Sequence, residues 1–132
     1  MPPTESNPVL VAEDNRVLSD VLRFNLERNG YAVTTARNGL DAMEQLAQHP
    51  FDLLITDFQM PGANGDEIIR FARQTLQLDE LPIVMCSAKG LELDMARLQA
   101  EWQVSRVIFK PFSMREILHL IGELLPRPLP LA

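Results

Sequence analysis

Polar residues suited to chemistry follow several short apolar segments of this chain. The residues in question are Glu13 and Asp14, Asp57, Ser87, and Lys110. Neighbouring carboxylates repel one another unless a cation neutralises them, and Mg²⁺ takes oxygen ligands while keeping several waters. An ionised carboxylate is also a nucleophile toward phosphorus and can become an aspartyl phosphate. These residue types therefore predict phosphoryl chemistry assisted by a divalent cation, provided that the chain brings them together.

Each residue has a role in this hypothesis. Asp57 attacks phosphorus, Asp14 binds the metal directly and Glu13 binds it through water. Ser87 and Lys110 hold the phosphoryl oxygens, because this transfer depends on positioning and charge neutralisation. Taken singly, the same residues have ordinary explanations as a turn former or helix cap, a turn serine and a surface charge. The hypothesis rests on their meeting at one place.

The apolar pattern supplies a framework that brings them together. Five short runs predict strands, and each is followed by a stretch with helical spacing of apolar residues. The predicted strands are 9–12, 31–36, 51–56, 83–86 and 106–109. Strands that alternate with helices form a parallel sheet covered on both faces, and right-handed crossovers make it a doubly wound α/β fold. Ligands of such sheets bind at the carboxyl ends of the strands, where all five polar residues fall.

Composition narrows the function further. The net charge is −6, with 12 basic and 18 acidic residues and no basic cluster, which argues against direct nucleic-acid binding. The single cysteine, Cys86, lies in an apolar run and is predicted to be a core residue. The first residues resemble no signal peptide and no apolar run reaches the ~20 residues of a membrane span, so we expect a cytoplasmic protein.

Four segments resemble the receiver domains of two-component response regulators, in that family's order and spacing. They are Val11-Ala12-Glu13-Asp14-Asn15, Thr56-Asp57-Phe58-Gln59-Met60-Pro61-Gly62, Cys86-Ser87-Ala88 and Phe109-Lys110-Pro111-Phe112. The resemblance covers residues 8–125, which we take as the domain, with 1–7 and 126–132 as flexible termini. It implies the strand order 2-1-3-4-5 known from chemotaxis regulators of this family.

The resemblance also implies roles and partners. A histidine kinase or phosphotransfer protein would donate the phosphoryl group to Asp57, and Mg²⁺ would bind Asp14, Asp57 and the backbone carbonyl of Gln59. Ser87 would move toward the phosphate, and Lys110 would pair with it. Gln59 and Lys89 occupy positions that tune phosphoryl lifetime in the family.

One position departs from the family pattern. Val107 stands three residues before Lys110, where many receivers carry an aromatic side chain whose rotation reports phosphorylation. We expect the signal to leave instead by loop or helix shifts on the surface formed by the fourth helix, fifth strand and fifth helix. The wide apolar face of the last helix, which includes Ile117, Leu118 and Ile121, is explained either by broad burial or by contact with a partner or a second copy.

Three competing functions remain open. An aspartate-nucleophile phosphatase would want a carboxylate two residues after Asp57, where Gln59 stands. A flavodoxin-like cofactor carrier needs a hydroxyl- and glycine-rich loop after the first strand, where Glu13 and Asp14 would repel phosphate. A degenerate receiver that serves as a scaffold is disfavoured because every polar residue of the site is present.

Overall fold

The computed structural model describes residues 7–125, which form one five-stranded parallel sheet with helices on both faces. The strands are β1 (Pro8–Ala12), β2 (Ala32–Ala36), β3 (Leu53–Asp57), β4 (Ile83–Ala88) and β5 (Arg106–Lys110). The helices are α1 (Arg16–Arg28), α2 (Gly39–Gln48), α3 (Gly65–Arg70), α4 (Glu92–Trp102) and α5 (Met114–Leu124). The order is β2-β1-β3-β4-β5, so the predicted fold class and strand order are confirmed.

The two faces of the sheet have separate apolar cores. Side chains alternate between the faces along a strand, so Val9 and Val11 of β1 point to one core and Leu10 to the other. One core packs under α1 and α5, and the second packs under α2, α3 and α4. Because the helices pack on the two faces, they do not cover the ends of the strands. The candidate site lies at the edge formed by the carboxyl ends of the strands.

Several helix ends are fixed by side chains that the sequence suggests. Ser113 accepts a hydrogen bond from the Glu116 N–H at 3.1 Å, and the Glu116 carboxylate accepts one from the Ser113 N–H at 2.9 Å, which makes a capping box at the start of α5. Helix α1 ends at Arg28 with Asn29 as its C-cap, and Gly30 then adopts a φ of 95°, a conformation that favours glycine. The helix following β1 is capped by Asn15 and not by Glu13 or Asp14.

Several boundaries differ from the predicted ones; β1 starts one residue earlier, at Pro8, and β3 and β5 include Asp57 and Lys110 as their last residues. The second and third strands begin later than expected, at Ala32 and Leu53. The fourth strand continues to Ala88, so Ser87 lies inside it. The third helix ends at Arg70 and continues as a π-helical turn, Phe71–Thr75, in which the Leu76 N–H donates to the Phe71 carbonyl at 3.0 Å.

The domain limits 8–125 stay a prediction. The termini predicted to be flexible lie, apart from Asn7, outside the described residues.

Across residues 7–125, no helix has the length and apolar content needed to cross a membrane.

Candidate functional site

Three carboxylates meet at the carboxyl-end edge of the sheet. Glu13 and Asp14 follow β1 directly, and Asp57 is the last residue of the neighbouring strand β3. Each residue offers one oxygen to a group in which all three atoms lie within 4.8 Å of one another. Asp14 is exposed, whereas Glu13 is only 3% exposed. The cluster is therefore open to solvent on the Asp14 side and buried on the other.

A lysine from the far strand reaches this cluster. Lys110 ends β5, and its Nζ lies 3.1 Å from Glu13 Oε1 and 3.3 Å from Asp57 Oδ1. The chain thus bridges β1, β3 and β5 with one ammonium group. Because Glu13 is almost fully buried, water screens its attraction to Lys110 less than it screens a pair on the protein surface.

Backbone amides complete the hydrogen bonds to two of the carboxylates. The Asn15 N–H donates to Glu13 Oε2 at 3.0 Å, so both oxygens of Glu13 already accept a hydrogen bond. The Phe58 N–H donates to Asp57 Oδ1 at 3.1 Å. The sequence did not predict either donor, because nearly every residue type has a backbone N–H.

Burial and mutual charge shift the pKa values of these groups. Burial raises the pKa of Asp57 above its ordinary value, against the opposing attraction of Lys110. Burial likewise raises the pKa of Glu13, and the charge of Asp57 adds to the effect. Burial alone would lower the pKa of Lys110, but its hydrogen bond to Glu13 and its attraction to Asp57 outweigh that effect, so the pKa is raised. The site holds excess negative charge that a further cation would relieve.

Ser87 lies close by on β4 but its hydroxyl is bonded elsewhere. The parallel register pairs Asp57 with Cys86, so Ser87 stands one residue further along the neighbouring strand. Ser87 is 1% exposed, and its hydroxyl donates to the Ala88 carbonyl at 3.2 Å. Sequence reasoning thus placed Ser87 at the right edge, although as a residue after the strand, whereas it lies within it.

The loop after Asp57 carries Gln59, whose backbone carbonyl the resemblance assigns to a metal. In the same loop, the carbonyls of Phe58 and Pro61 accept hydrogen bonds from the N–H groups of Gly65 and Gly39 at 2.7 and 3.1 Å. Among the hydrogen bonds found within residues 7–125, none goes to the Gln59 carbonyl. That carbonyl is free to accept a ligand, while the carbonyls of Phe58 and Pro61 already accept hydrogen bonds.

The predicted core residue Cys86, the position Val107 and the two histidines have the following surroundings. Cys86 is buried, and burial raises the pKa of its thiol to about 12, as expected of a core cysteine. Val107 and Phe109 are half-buried and pack against the core under α4. The exposed His119 lies 3.5 Å from Glu123 on α5, and His49 ends α2.

Comparison with known proteins places this geometry in a family. The sequence model of the family described as "Response regulator receiver domain" matches residues 9–122 of this chain. The phosphate regulon transcriptional regulatory protein PhoB of Rhizobium meliloti (strain 1021) is 38% identical over 122 residues, which are 92% of this chain and 53% of that protein. The chain therefore spans about half the length of this curated relative.

Solved structures agree on the fold. The chemotaxis response regulator CheY4 of Vibrio cholerae matches with a TM-score of 0.84 and 25% identity, over 91% of this chain and 99% of that one. A structure described as adenylate cyclase from Rhodopirellula baltica matches with a TM-score of 0.82 and 28% identity, over 89% of this chain and 86% of that one. With the family model covering most of its length, this chain belongs to the receiver domains of two-component response regulators.

Proposed function

We propose that this receiver accepts a phosphoryl group on Asp57 from a histidine kinase or phosphotransfer protein, in a reaction that requires Mg²⁺. The observation that carries the proposal is the contact of Lys110 Nζ with Asp57 Oδ1 at 3.3 Å, beside two further carboxylates. A nucleophilic carboxylate is thereby paired with the cation that can neutralise an incoming phosphoryl group.

The donor set fits Mg²⁺, which prefers oxygen ligands and retains waters. Asp14 and Asp57 would bind the ion directly, and the Gln59 carbonyl would supply a third protein ligand. Both Glu13 oxygens already accept hydrogen bonds, which supports contact through a water molecule instead. When bound, the ion supplies positive charge that offsets the charge of the phosphoryl oxygens.

The chemistry of the step follows from these residues. A free oxygen of the Asp57 carboxylate attacks phosphorus, and the bond from phosphorus to the donor nitrogen breaks as the new P–O bond forms. The electron pair of the broken bond stays on the donor imidazole. Lys110 stays protonated throughout, because its contacts with Glu13 and Asp57 raise its pKa. Its ammonium group can then pair with a phosphoryl oxygen.

Signal output begins at Ser87. Its hydroxyl donates to the Ala88 carbonyl in the unphosphorylated protein, and transfer of that donation to a phosphoryl oxygen would pull on the segment between β4 and α4. Helix α4 starts without a side-chain cap and buries only Met95 and Leu98, so little holds its first turn in place. We therefore assign output to the surface of α4, β5 and α5, which would contact a downstream protein or a second copy.

The geometry gives less support to a phosphatase or a scaffold. Gln59 offers no acid or base group two residues after Asp57, which a phosphatase of this chemistry would use. A scaffold would have no need for a lysine held between the buried carboxylate of Glu13 and the partly buried one of Asp57. The protein is thus a switch whose only chemistry is transfer to, and loss from, its own aspartate.

Intact-mass analysis after incubation with a small phosphodonor tests the proposal. With Mg²⁺ we expect the mass of one phosphoryl group on the wild type. Asp57→Asn protein and wild type in chelator should gain none. An unmodified wild type, under conditions that phosphorylate a control receiver, would contradict the proposal and favour a scaffold. Turnover of many phosphate esters per chain would favour a phosphatase.

A further inference from the structure

The first turn of α2 contacts the loop that carries Gln59, although α2 contributes no residue to the carboxylate cluster. The Gly39 N–H donates to the Pro61 carbonyl at 3.1 Å. A Cβ atom on Gly39 would overlap the Ala63 carbonyl oxygen and would lie 2.6 Å from Ala63 Cβ. The absence of a side chain therefore allows the backbone of the loop to lie directly against the start of α2.

A positive φ angle is not the reason for a glycine at position 39. Glycines with positive φ in the described part of the chain are Gly30, Gly62 and Gly90, and Gly39 is not among them. Gly39 is also fully buried in the first turn of a helix, where alanine would be the better helix former. Close approach of the loop backbone is the physical reason that remains.

Two further hydrogen bonds hold this loop, one at its Asp57 end and one within it. At the Asp57 end, the Gly65 N–H donates to the Phe58 carbonyl at 2.7 Å. Inside the loop, the Met60 N–H donates to Asn64 Oδ1 at 3.3 Å. Among the hydrogen bonds of residues 7–125, the bond from Gly39 to the Pro61 carbonyl is the one that joins the middle of the loop to α2.

We infer that Gly39 is a positioning residue for the metal site: by its N–H bond to Pro61 and its contact with Ala63, it fixes the loop that carries the Gln59 carbonyl. The inference rests on the proposed function, since it gives α2 a part in Mg²⁺ binding. The physical basis is that a ligand carbonyl held in place before binding loses less freedom when the ion arrives.

Paired glycine substitutions provide the first test. Gly39→Ala forces the loop away from α2, and we expect Mg²⁺ affinity, measured by calorimetric titration, to fall at least about tenfold, as for residues that orient metal ligands. Gly122→Ala is the matched control, because Gly122 is also helical and a Cβ there meets no atom within 4 Å. It should bind Mg²⁺ as the wild type does. A folded Gly39→Ala protein with wild-type affinity would overturn the inference.

Amide hydrogen exchange in the wild type provides a second test that needs no variant. If the Gly39–Pro61 bond favours metal binding, then Mg²⁺ must in turn stabilise that bond, because coupling between two sites is reciprocal. Saturating Mg²⁺ should slow exchange of the Gly39 amide. The His49 amide, bonded to the Gln45 carbonyl at 3.0 Å at the other end of α2, should be unchanged.

The outcomes separate this inference from the proposed function. Mg²⁺ that shifts the Phe58 amide resonance but leaves Gly39 exchange unchanged would overturn the role of Gly39 and leave the metal site intact. Mg²⁺ that shifts no resonance at the carboxylates would overturn both. Slowed exchange at Gly39 and His49 alike would indicate general stabilisation and would also count against a specific role for Gly39.

Discussion

Two buried or half-buried cations lie at opposite edges of the sheet, and their partners differ in kind. Lys110 at the carboxyl-end edge contacts the carboxylates of Glu13 and Asp57. Arg73 lies near the other edge, where β4 and β5 begin, and is 9% exposed. Its guanidinium donates to four backbone carbonyls, those of Leu78, Leu81, Trp102 and Gln103.

On the proposed function, this difference separates a cation that takes part in chemistry, Lys110, from one that holds the structure together, Arg73. Carbonyls are neutral and fixed, so Arg73 joins the π-helical turn to the end of α4 and to the segment before β4 in a single arrangement. It also places a positive charge at the C-terminal end of α4, where the helix dipole favours one. The carboxylates around Lys110 can exchange protons, metal and phosphoryl groups, so the charge there can change.

Removal of Lys110 should have the largest effect on function. We expect Lys110→Met to slow phosphorylation by about 10²-fold or more, as when a donor to developing charge is removed. Mg²⁺ affinity should rise, because the ammonium no longer competes with the ion for the carboxylates. Time courses of the intact mass and calorimetric titrations measure the two effects. Wild-type phosphorylation rates in this variant would show that Lys110 serves structure alone.

Removal of Arg73 should have the largest effect on stability. Arg73→Met leaves four carbonyls without their donor, and we expect the free energy of unfolding to fall by about 2–4 kcal/mol. Urea denaturation measures this loss. Phosphorylation per folded molecule should stay near the wild-type value, and a variant that is stable but cannot be phosphorylated would break the division between the two edges.

The raised pKa of Asp57 predicts a dependence of stability on pH in metal-free protein. Because burial makes the folded state hold this proton more tightly than the unfolded chain does, wild type gains stability as the pH falls through the raised pKa and loses it as the pH rises. Asn at this position does not titrate. The stability of Asp57→Asn relative to wild type should therefore increase from acid to neutral pH in urea denaturation, and parallel profiles would contradict the shift.

An exposed arginine supplies the smallest expected effect and the matched control. Arg97 is 64% exposed and lies 3.8 Å from both Asp94 and Glu101 on α4. Arg97→Met should change the free energy of unfolding by less than about 1 kcal/mol, as for other surface pairs, and should leave phosphorylation unchanged. A loss equal to that of Arg73→Met would mean that burial and partner type do not explain the comparison.

The sequence predicts one edge of the sheet much better than the other. Glu13, Asp14, Asp57 and Lys110 were predictable as neighbours because parallel strands present their carboxyl ends at the same edge. Arg73 was not, because its partners are backbone carbonyls scattered over residues 78–103, and any residue type provides those.

Element boundaries and backbone contacts were as hard to predict from the sequence as the partners of Arg73. The π-helical turn Phe71–Thr75 was not predicted, because its apolar spacing continues that of α3 and the change in hydrogen bonding is local. The contact of Gly39 with Ala63 was also invisible, since a glycine at the start of a helix has many possible reasons. The meeting of these side chains was thus predictable from order and spacing, whereas the contacts made by the backbone depend on the folded structure.

The most direct test of the central claim is to locate the phosphoryl group. Protein treated with phosphodonor and Mg²⁺ is reduced with borohydride, which converts an aspartyl phosphate to homoserine, and its peptides are sequenced by mass spectrometry. We expect homoserine at position 57, absent when Mg²⁺ is chelated. Two results would contradict the assignment of Asp57 as the phosphoacceptor. One is unchanged aspartate at position 57 after reduction of protein that had gained the phosphoryl mass. The other is a reduced residue at Asp14 or Glu13 instead.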